Sequence, residues 1–256
     1  MIPMSQDVLS ELVAMSNRIG DPVNDFVILG EGNTSARYDD ETFYVKASGT
    51  ELRTIKAEGM VRVRFETVLK LLDAEGVDDQ VMKDTLAAAS VDAGRMRPSV
   101  ETVMHALLLQ LEDVNFIGHT HPTAVNSITC AKEGHKAFSG RLFPDEIVCC
   151  GVAPIWVPYT DPGIALARKV REEVQKYVAE FGLRPKVILM QNHGMIALGS
   201  TPAEVEAATH MMCKTARVLA GTYTFGGPRY FSEQQVGRIF SRPDEKYRMA
   251  ILDGKS

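Results

Sequence analysis

Apolar positions along the chain change period several times, and each change marks an element. Val8, Leu9, Leu12, Val13 and Met15 recur near the helical period between Ser5 and Arg18, and Gly20-Asp21-Pro22 ends the pattern. Strands are predicted at Phe26 to Leu29, at Thr42 to Ala47 and at Met60 to Phe65, where Val61, Val63 and Phe65 alternate. Val68 to Leu72 reads as a short helix, and the Asp-, Gly- and Ala-rich stretch from Asp73 to Met96 as a surface excursion with one helical piece. Pro98 opens a new unit, in which Ser99 is placed to cap a helix that ends near Glu112 and carries Val103, Met104, Leu107, Leu108 and Leu111 on one face. Val114 to His121 follows as a strand, Thr123 to Ala131 as a short helix, and Ile147 to Cys150 and Ile155 to Pro158 as short strands. A longer helix at Gly163 to Phe181 precedes a strand at Val187 to Met190. Thr201-Pro202-Ala203-Glu204 starts a helix that runs to about Ala220, with Thr201 as cap, proline at the first helical position and Glu204 placed for a capping box. The tail beyond carries a short helix at Glu233 to Phe240 and no core of its own. No repeat or low-complexity linker interrupts the chain, so a single domain over residues 1–256 is expected, with a core of about 5–220 and a tail of 221–256.

Composition narrows the class. With 45% hydrophobic and 24% charged residues in 256, the chain has enough apolar material for a substantial core. A formal net charge of −5 and the lack of a basic stripe argue against nucleic acid as a partner. Four cysteines, none in C-x-x-C spacing, fit a reduced, cytoplasmic protein. The first twelve residues carry Asp7 and Glu11 and no Lys or Arg, so no secretory signal is expected. No run approaches the roughly 18 apolar residues that cross a bilayer, so no membrane partner is expected either.

Candidate chemistry gathers in a few places. Gly30-Glu31-Gly32-Asn33-Thr34-Ser35 does not open a helix as a nucleotide-binding glycine loop must, and reads as a loop between strands. Its glycines, with donors at Asn33, Thr34, Ser35 and the later Ser48-Gly49-Thr50, suit either tight turns or close approach to an anion. His119-Thr120-His121 is sharper, because residues two apart on a strand project from one face and two imidazoles can converge on one metal. His193 follows the apolar run Val187 to Met190 at a strand end, inside Gln191-Asn192-His193-Gly194. Three neutral imidazoles with an open fourth position are a common catalytic zinc arrangement. Glu101 falls in the first turn of the helix before the His119 strand, as a simple helix-start acid or as a group within reach of a metal or a substrate proton. His105, four residues on, shares its helix face and is read as structural rather than as a fourth ligand. His135 and His210 have no partner by spacing. Arg95 and Arg97 beside Glu101 could meet an anion, but solvation at the surface accounts for them.

Taken together, Gly30 to Ser35, Ser48-Gly49, Pro98-Ser99-Val100-Glu101 with His105, Gly118-His119-Thr120-His121-Pro122 and Asn192-His193-Gly194 resemble the class II aldolase/adducin family, in order and spacing, over roughly Leu12 to Ala220. The resemblance implies an α/β fold, a three-layer α/β/α arrangement around a mostly antiparallel central sheet. It also implies a homotetramer with active sites between subunits and a zinc ion on three histidines. By position, His119, His121 and His193 match the metal ligands and Glu101 the catalytic acid/base. Asn33, Ser48, Gly49 and Ser99 match positions that bind substrate phosphate. The implied reaction is reversible cleavage of a ketose 1-phosphate to dihydroxyacetone phosphate and an aldehyde. Zinc stabilises the enediolate, and Glu101 exchanges the proton on its carbon, a task suited to a carboxylate of raised pKa.

Two departures keep other reactions open. Val100 stands where the fuculose-phosphate type has a second serine, and no residue matches that enzyme's tyrosine proton donor, for which Tyr159 and Tyr230 are candidates. The wording around Ser48 and Glu101 is closer to the aldolase half of bifunctional rhamnulose-phosphate proteins, without their dehydrogenase half. Decarboxylation of a hydroxy or keto acid and dehydration of a methylthio-sugar phosphate use the same triad in this family. Other divalent transition metals suit imidazoles as well. A non-catalytic, adducin-like structural protein requires a disabled metal site, against which the complete histidine set counts.

Overall fold

The computed structural model describes residues 6–91, 96–252 and 254, so Ser5 and Arg95 lie outside the described residues. Helix α1 (Gln6–Ile19) leads into a meander of β1 (Asn33–Arg37), β2 (Thr42–Lys46) and β3 (Met60–Arg64). Helices α2 (Phe65–Leu69), α3 (Asp79–Ala89) and α4 (Thr102–Leu108) precede β4 (Phe116–Thr120). Next come α5 (Thr123–Thr129), α6 (Gly134–Ala137), α7 (Pro144–Cys150), β5 (Ile155–Val157) and the long α8 (Ile164–Phe181). The hairpin of β6 (Val187–Met190) and β7 (Gly194–Gly199) is followed by α9 (Pro202–Thr222), α10 (Glu233–Ser241) and α11 (Pro243–Leu252).

The strands form one seven-stranded sheet in the order β3-β2-β1-β4-β7-β6-β5. It is mostly antiparallel; β5 and β6 are the parallel pair, and α8 makes the crossover such a pair requires. Period-2 alternation divides the core into two halves. Ile188, Met190, Ile196 and Leu198 face the layer of α2, α3, α4 and α8, while Val187, Leu189, Met195 and Ala197 face α1, α5, α7 and α9. Helices therefore cover both faces, which is the three-layer α/β/α architecture expected from the resemblance. The tail adds α10 and α11 against α7, with the Phe231 N–H donating to Arg141 O at 2.8 Å. Arg141 is itself buried and paired with Glu146 at 2.8 Å.

Several elements differ from the sequence reading, each for a local reason. Phe26 to Leu29 is not a strand: Asp25 and Leu29 take left-handed backbone (φ 55° and 51°), and one bond, from His121 N–H to Phe26 O, ties the segment to β4. Ile147 to Cys150 is the end of α7, started by Pro144 at its first turn; a short apolar run cannot by itself distinguish strand from buried helix. The polar stretch Asn33 to Arg37, expected as loop, is a central strand, its polar side chains bonded inside. The continuous apolar run of β7 carries no strand signal in the sequence, because both of its faces are buried and nothing alternates in polarity. Helix α4 starts at Thr102, not near Ser99, because residues 97–99 first pair with 46–48 through Ser48 N–H to Arg97 O and Ser99 N–H to Lys46 O. Thr201 does cap α9, accepting from Glu204 N–H, but the Glu204 carboxylate takes the Ser200 N–H and the Arg184 and Lys186 cations.

Gly194 ties the hairpin to the centre of the sheet. A β-carbon there would collide with the Thr120 carbonyl of β4 and sit 2.7 Å from His121 Cδ2. Gly194→Ala is expected to lower stability by about 1–3 kcal/mol, the usual cost of overpacking. A thermal melt reads this as a fall in Tm, and an unchanged Tm would show that β4 and β7 part there without cost.

Candidate metal centre

The site is assembled at one end of β1, β4 and β7. The register sets Asn33 opposite His119 across β1 and β4, and Thr120 opposite Met195 across β4 and β7. His119 and His121 project from the same face of the chain, toward the α4 layer, and His193 arrives from the β6–β7 turn. That turn is held by Asn192 in left-handed backbone (φ 54°), by Asn192 N–H to Thr129 O at 3.2 Å, and by Asn126 Nδ2 donating to His193 O at 3.0 Å. The three rings meet nearly edge to face, with centroids 4.7, 4.9 and 5.1 Å apart. One ligand atom from each lies within 4.8 Å of the others.

Hydrogen bonds fix which nitrogen is free. His119 Nδ1 lies 2.9 Å from the Met195 carbonyl, which can only accept, so Nδ1 carries the proton and Nε2 presents a lone pair. His121 Nε2 is 3.0 Å from His119 Nε2. Four ligands on a tetrahedral zinc with Zn–N bonds near 2.0–2.1 Å stand roughly 3.3 Å apart, so the two nitrogens are already at ligand spacing. Burial pushes His121 down to about 3 and His193 down to about 4, with repulsion from the protonated form of His119 adding to it and Glu101 opposing. Both are neutral imidazoles at pH 7, the form that binds metal.

Glu101 occupies the cap position of α4, where its backbone is outside the helix (φ −88°, ψ 6°) and its side chain turns inward. Its Oε2 is 3.4 Å from His119 Nε2 and its Oε1 3.4 Å from His193 Nε2. Asn33 Nδ2 donates to Oε2 at 2.7 Å, while Oε1 is buried without a hydrogen-bond partner among the described residues. Burial would raise this carboxyl, but the attraction of His119, His193 and His105 in their protonated forms, with the Asn33 amide bond, outweighs it and brings the group down to about 2. The raised pKa expected from the sequence is therefore not found; the group stands ionised, as a base. An orphaned buried carboxylate oxygen beside three converging imidazole nitrogens is the donor set of a divalent cation, and the residues present fit one.

The other sequence candidates divide. The pairing of 97–99 with 46–48 brings Ser99 beside Ser48 and Gly49, the latter at φ 80°, a left-handed turn position that favours glycine, with open space beside it. Asn33 is buried, with its amide nitrogen engaged by Glu101 and by Ser99 Oγ at 3.3 Å, so it faces the carboxylate rather than the Ser48 turn. Val100 is half exposed beside Glu101, and Arg97 is exposed. The Tyr159 hydroxyl donates to Asp161 at 3.0 Å and that of Tyr230 to Ala137 O at 2.7 Å, so neither is directed at the histidines. His135 lies by Trp156 and His210 by Phe26, both outside the cluster. Sequence reading missed Lys46, buried with Nζ donating to Gly30 O at 3.0 Å; burial lowers its pKa and the charges of Glu101 and Glu51 raise it. A lysine between Val45 and Ala47 in a predicted strand was the available signal. A cavity of 320 Å³ adjoins His121, lined by Asp25, Ile28, Glu31 and Asn126 among others.

The fold is of the class II aldolase kind, and its three histidines could hold a metal ion. The chain belongs to the family of the class II aldolase and adducin N-terminal domain, whose model matches residues 10–220. It is 30% identical over 237 residues to a Bacillus subtilis protein described as uncharacterized oxidoreductase YuxG, covering 87% of this chain and 32% of that one. The chain thus spans about a third of that relative's length. It is 25% identical over 221 residues to the 3-oxo-tetronate 4-phosphate decarboxylase of Haemophilus influenzae, covering 85% of this chain and 89% of that one. Among solved structures, the N-terminal class II aldolase domain of a conserved Thermoplasma acidophilum protein superposes with TM-score 0.66 at 27% identity, covering 86% of this chain and 96% of that one. Among the described residues, no helix is long and apolar enough to cross a membrane.

If the cluster holds a metal, purified protein should carry close to one divalent transition ion per chain by elemental analysis, and His193→Ala should lose it. Carefully prepared wild type that is free of metal would contradict the assignment.

Proposed function

We propose that this chain is a metal-dependent aldolase that reversibly cleaves a ketose 1-phosphate to dihydroxyacetone phosphate and an aldehyde. The observation that carries the reading is the buried Glu101 carboxylate with one oxygen bare beside the histidine cluster. His119, His121 and His193 would hold the cation, zinc in our reading. When bound, such an ion supplies Lewis-acid stabilisation to charge that develops on substrate oxygens. Glu101, ionised and short of one hydrogen-bond partner, takes the proton from the carbon next to the carbonyl in the synthesis direction and returns it after carbon–carbon cleavage. Ser48, the open backbone at Gly49 and Ser99 bind the phosphate and fix the reacting end, with Asn33 between them and Glu101. The group that protonates the aldehyde oxygen lies outside this set. A homotetramer in the cytoplasm, with active sites between subunits, completes the reading.

A second reading, decarboxylation of a keto acid phosphate at the same centre, is favoured by the similarity to the Haemophilus influenzae decarboxylase over most of both chains. Loss of carbon dioxide and cleavage to an aldehyde both leave the same kind of carbanion, so products separate them where residues do not. Ketose 1-phosphates are expected to give two carbonyl fragments; release of carbon dioxide from a keto acid phosphate, or of water from a methylthio-sugar phosphate, would replace the aldolase reading. Glu101→Gln, compared with wild type at equal metal occupancy, is expected to lower kcat by about 10²–10⁴-fold. Full activity in that variant would remove Glu101 from the mechanism.

A further inference from the structure

Behind the Glu101 carboxylate lies a row of buried groups whose hydrogen-bond directions follow from one acceptor. An ionised carboxylate can only accept, so the Asn33 amide presents its nitrogen to Oε2, at 2.7 Å, and its oxygen to the opposite side. There Asn33 Oδ1 meets Nε2 of His105, whose Nδ1 lies 2.7 Å from Ser35 Oγ. An amide oxygen has no proton to give, so His105 Nε2 carries the hydrogen and Nδ1 accepts from the Ser35 hydroxyl. His105 and Ser35 are wholly buried and Asn33 is 5% exposed, so water cannot take the place of any member. Ser35 and Asn33 project from the same face of β1, and His105 sits one helical turn beyond Glu101 on α4. The strand and the helix are thus joined by this row.

We propose that His105 is a positioning residue for Glu101: its Nε2–H holds the Asn33 amide in the one orientation that donates to Oε2, leaving Oε1 bare on the His193 side. The assignment rests on the reading of Glu101 as the proton-exchanging group. With the amide reversed, Asn33 would set an oxygen against a carboxylate oxygen, and Glu101 would turn away from the histidines. A histidine that merely fills the core would affect stability; one that aims Glu101 affects the chemical step at given binding.

The test has two arms. In ¹⁵N spectra of histidine-labelled holoprotein, with His105 assigned by loss of its signals in His105→Gln, we expect the neutral Nε2–H tautomer. An Nδ1–H tautomer would overturn the proposal, whatever the substrate. In steady-state kinetics, His105→Leu is expected to lower kcat on the order of 10–100-fold with KM and metal content near wild type. His105→Gln, whose amide nitrogen can replace the Nε2 donor, is expected to recover most of kcat. Glutamine no better than leucine at equal Tm, or a loss carried by KM or by missing metal, would overturn it. If the wild type cleaves no ketose 1-phosphate, the aldolase reading falls, while the tautomer still decides whether His105 holds Asn33 as described.

Discussion

The bond from His119 Nδ1 to the Met195 carbonyl, and the β4–β7 register that permits it, is the constraint on which the rest of the centre depends. A slip of one residue in β4 would turn His119 and His121 to the α1 and α9 face and bring Gly118 and Thr120 to the site, because side chains alternate with period 2. What opposes the slip is packing: Gly118 faces the α1 and α9 layer, where a β-carbon would lie 2.8 Å from Val205 Cγ1, so His119 cannot take its place. Each fully buried Ile, Leu, Val or Met contributes roughly 1.5–3 kcal/mol, and β6 and β7 place such residues on both sides. The surface ion pairs of α8, Lys169 with Glu173 and Lys176 with Glu172, belong to a type worth about 0–1 kcal/mol and do not set register. The core thus fixes the imidazoles by way of the backbone.

How much of this was legible beforehand depended on whether function coincided with a local pattern. The spacing of His119 and His121 reports a shared face as soon as the segment is read as a strand, and His193 was marked by its place after an apolar run. The amphipathic α1, α8 and α9 were visible because one side of each meets water. Two strands that frame the site, β1 and β7, carry no such pattern. Polarity in β1 is compensated by specific partners, Ser16 for Thr34 and His105 for Ser35, and a sequence does not display such partners. In β7, burial on both sides removes the alternation altogether.

The placement of Glu101 shows the same limit. A helix beginning at Ser99 would have put the glutamate in a solvated first turn. Pairing of residues 97–99 with 46–48 delays α4 and leaves Glu101 at the cap, with its carboxylate turned inward. That pairing joins segments far apart in the chain, and no local signal announces it. It also explains how Ser99, Ser48 and Gly49 come together although fifty residues separate Gly49 from Ser99.

Burying that carboxylate has a cost that the protein alone offsets only in part. An unpaired ion in the interior is penalised by several kcal/mol, and a hydrogen bond to a charged group returns about 1.5–3 kcal/mol. Asn33 supplies such a bond to Oε2, and among the described residues none supplies one to Oε1. Burial leaves His121 and His193 uncharged at neutral pH, so they add lone pairs without adding positive charge. A divalent cation among the three imidazoles would satisfy both needs at once, the lone pairs and the uncompensated negative charge. Its binding to the folded chain and not to the unfolded one would then raise stability by mass action, so the acid that serves the chemistry also draws the metal into its place.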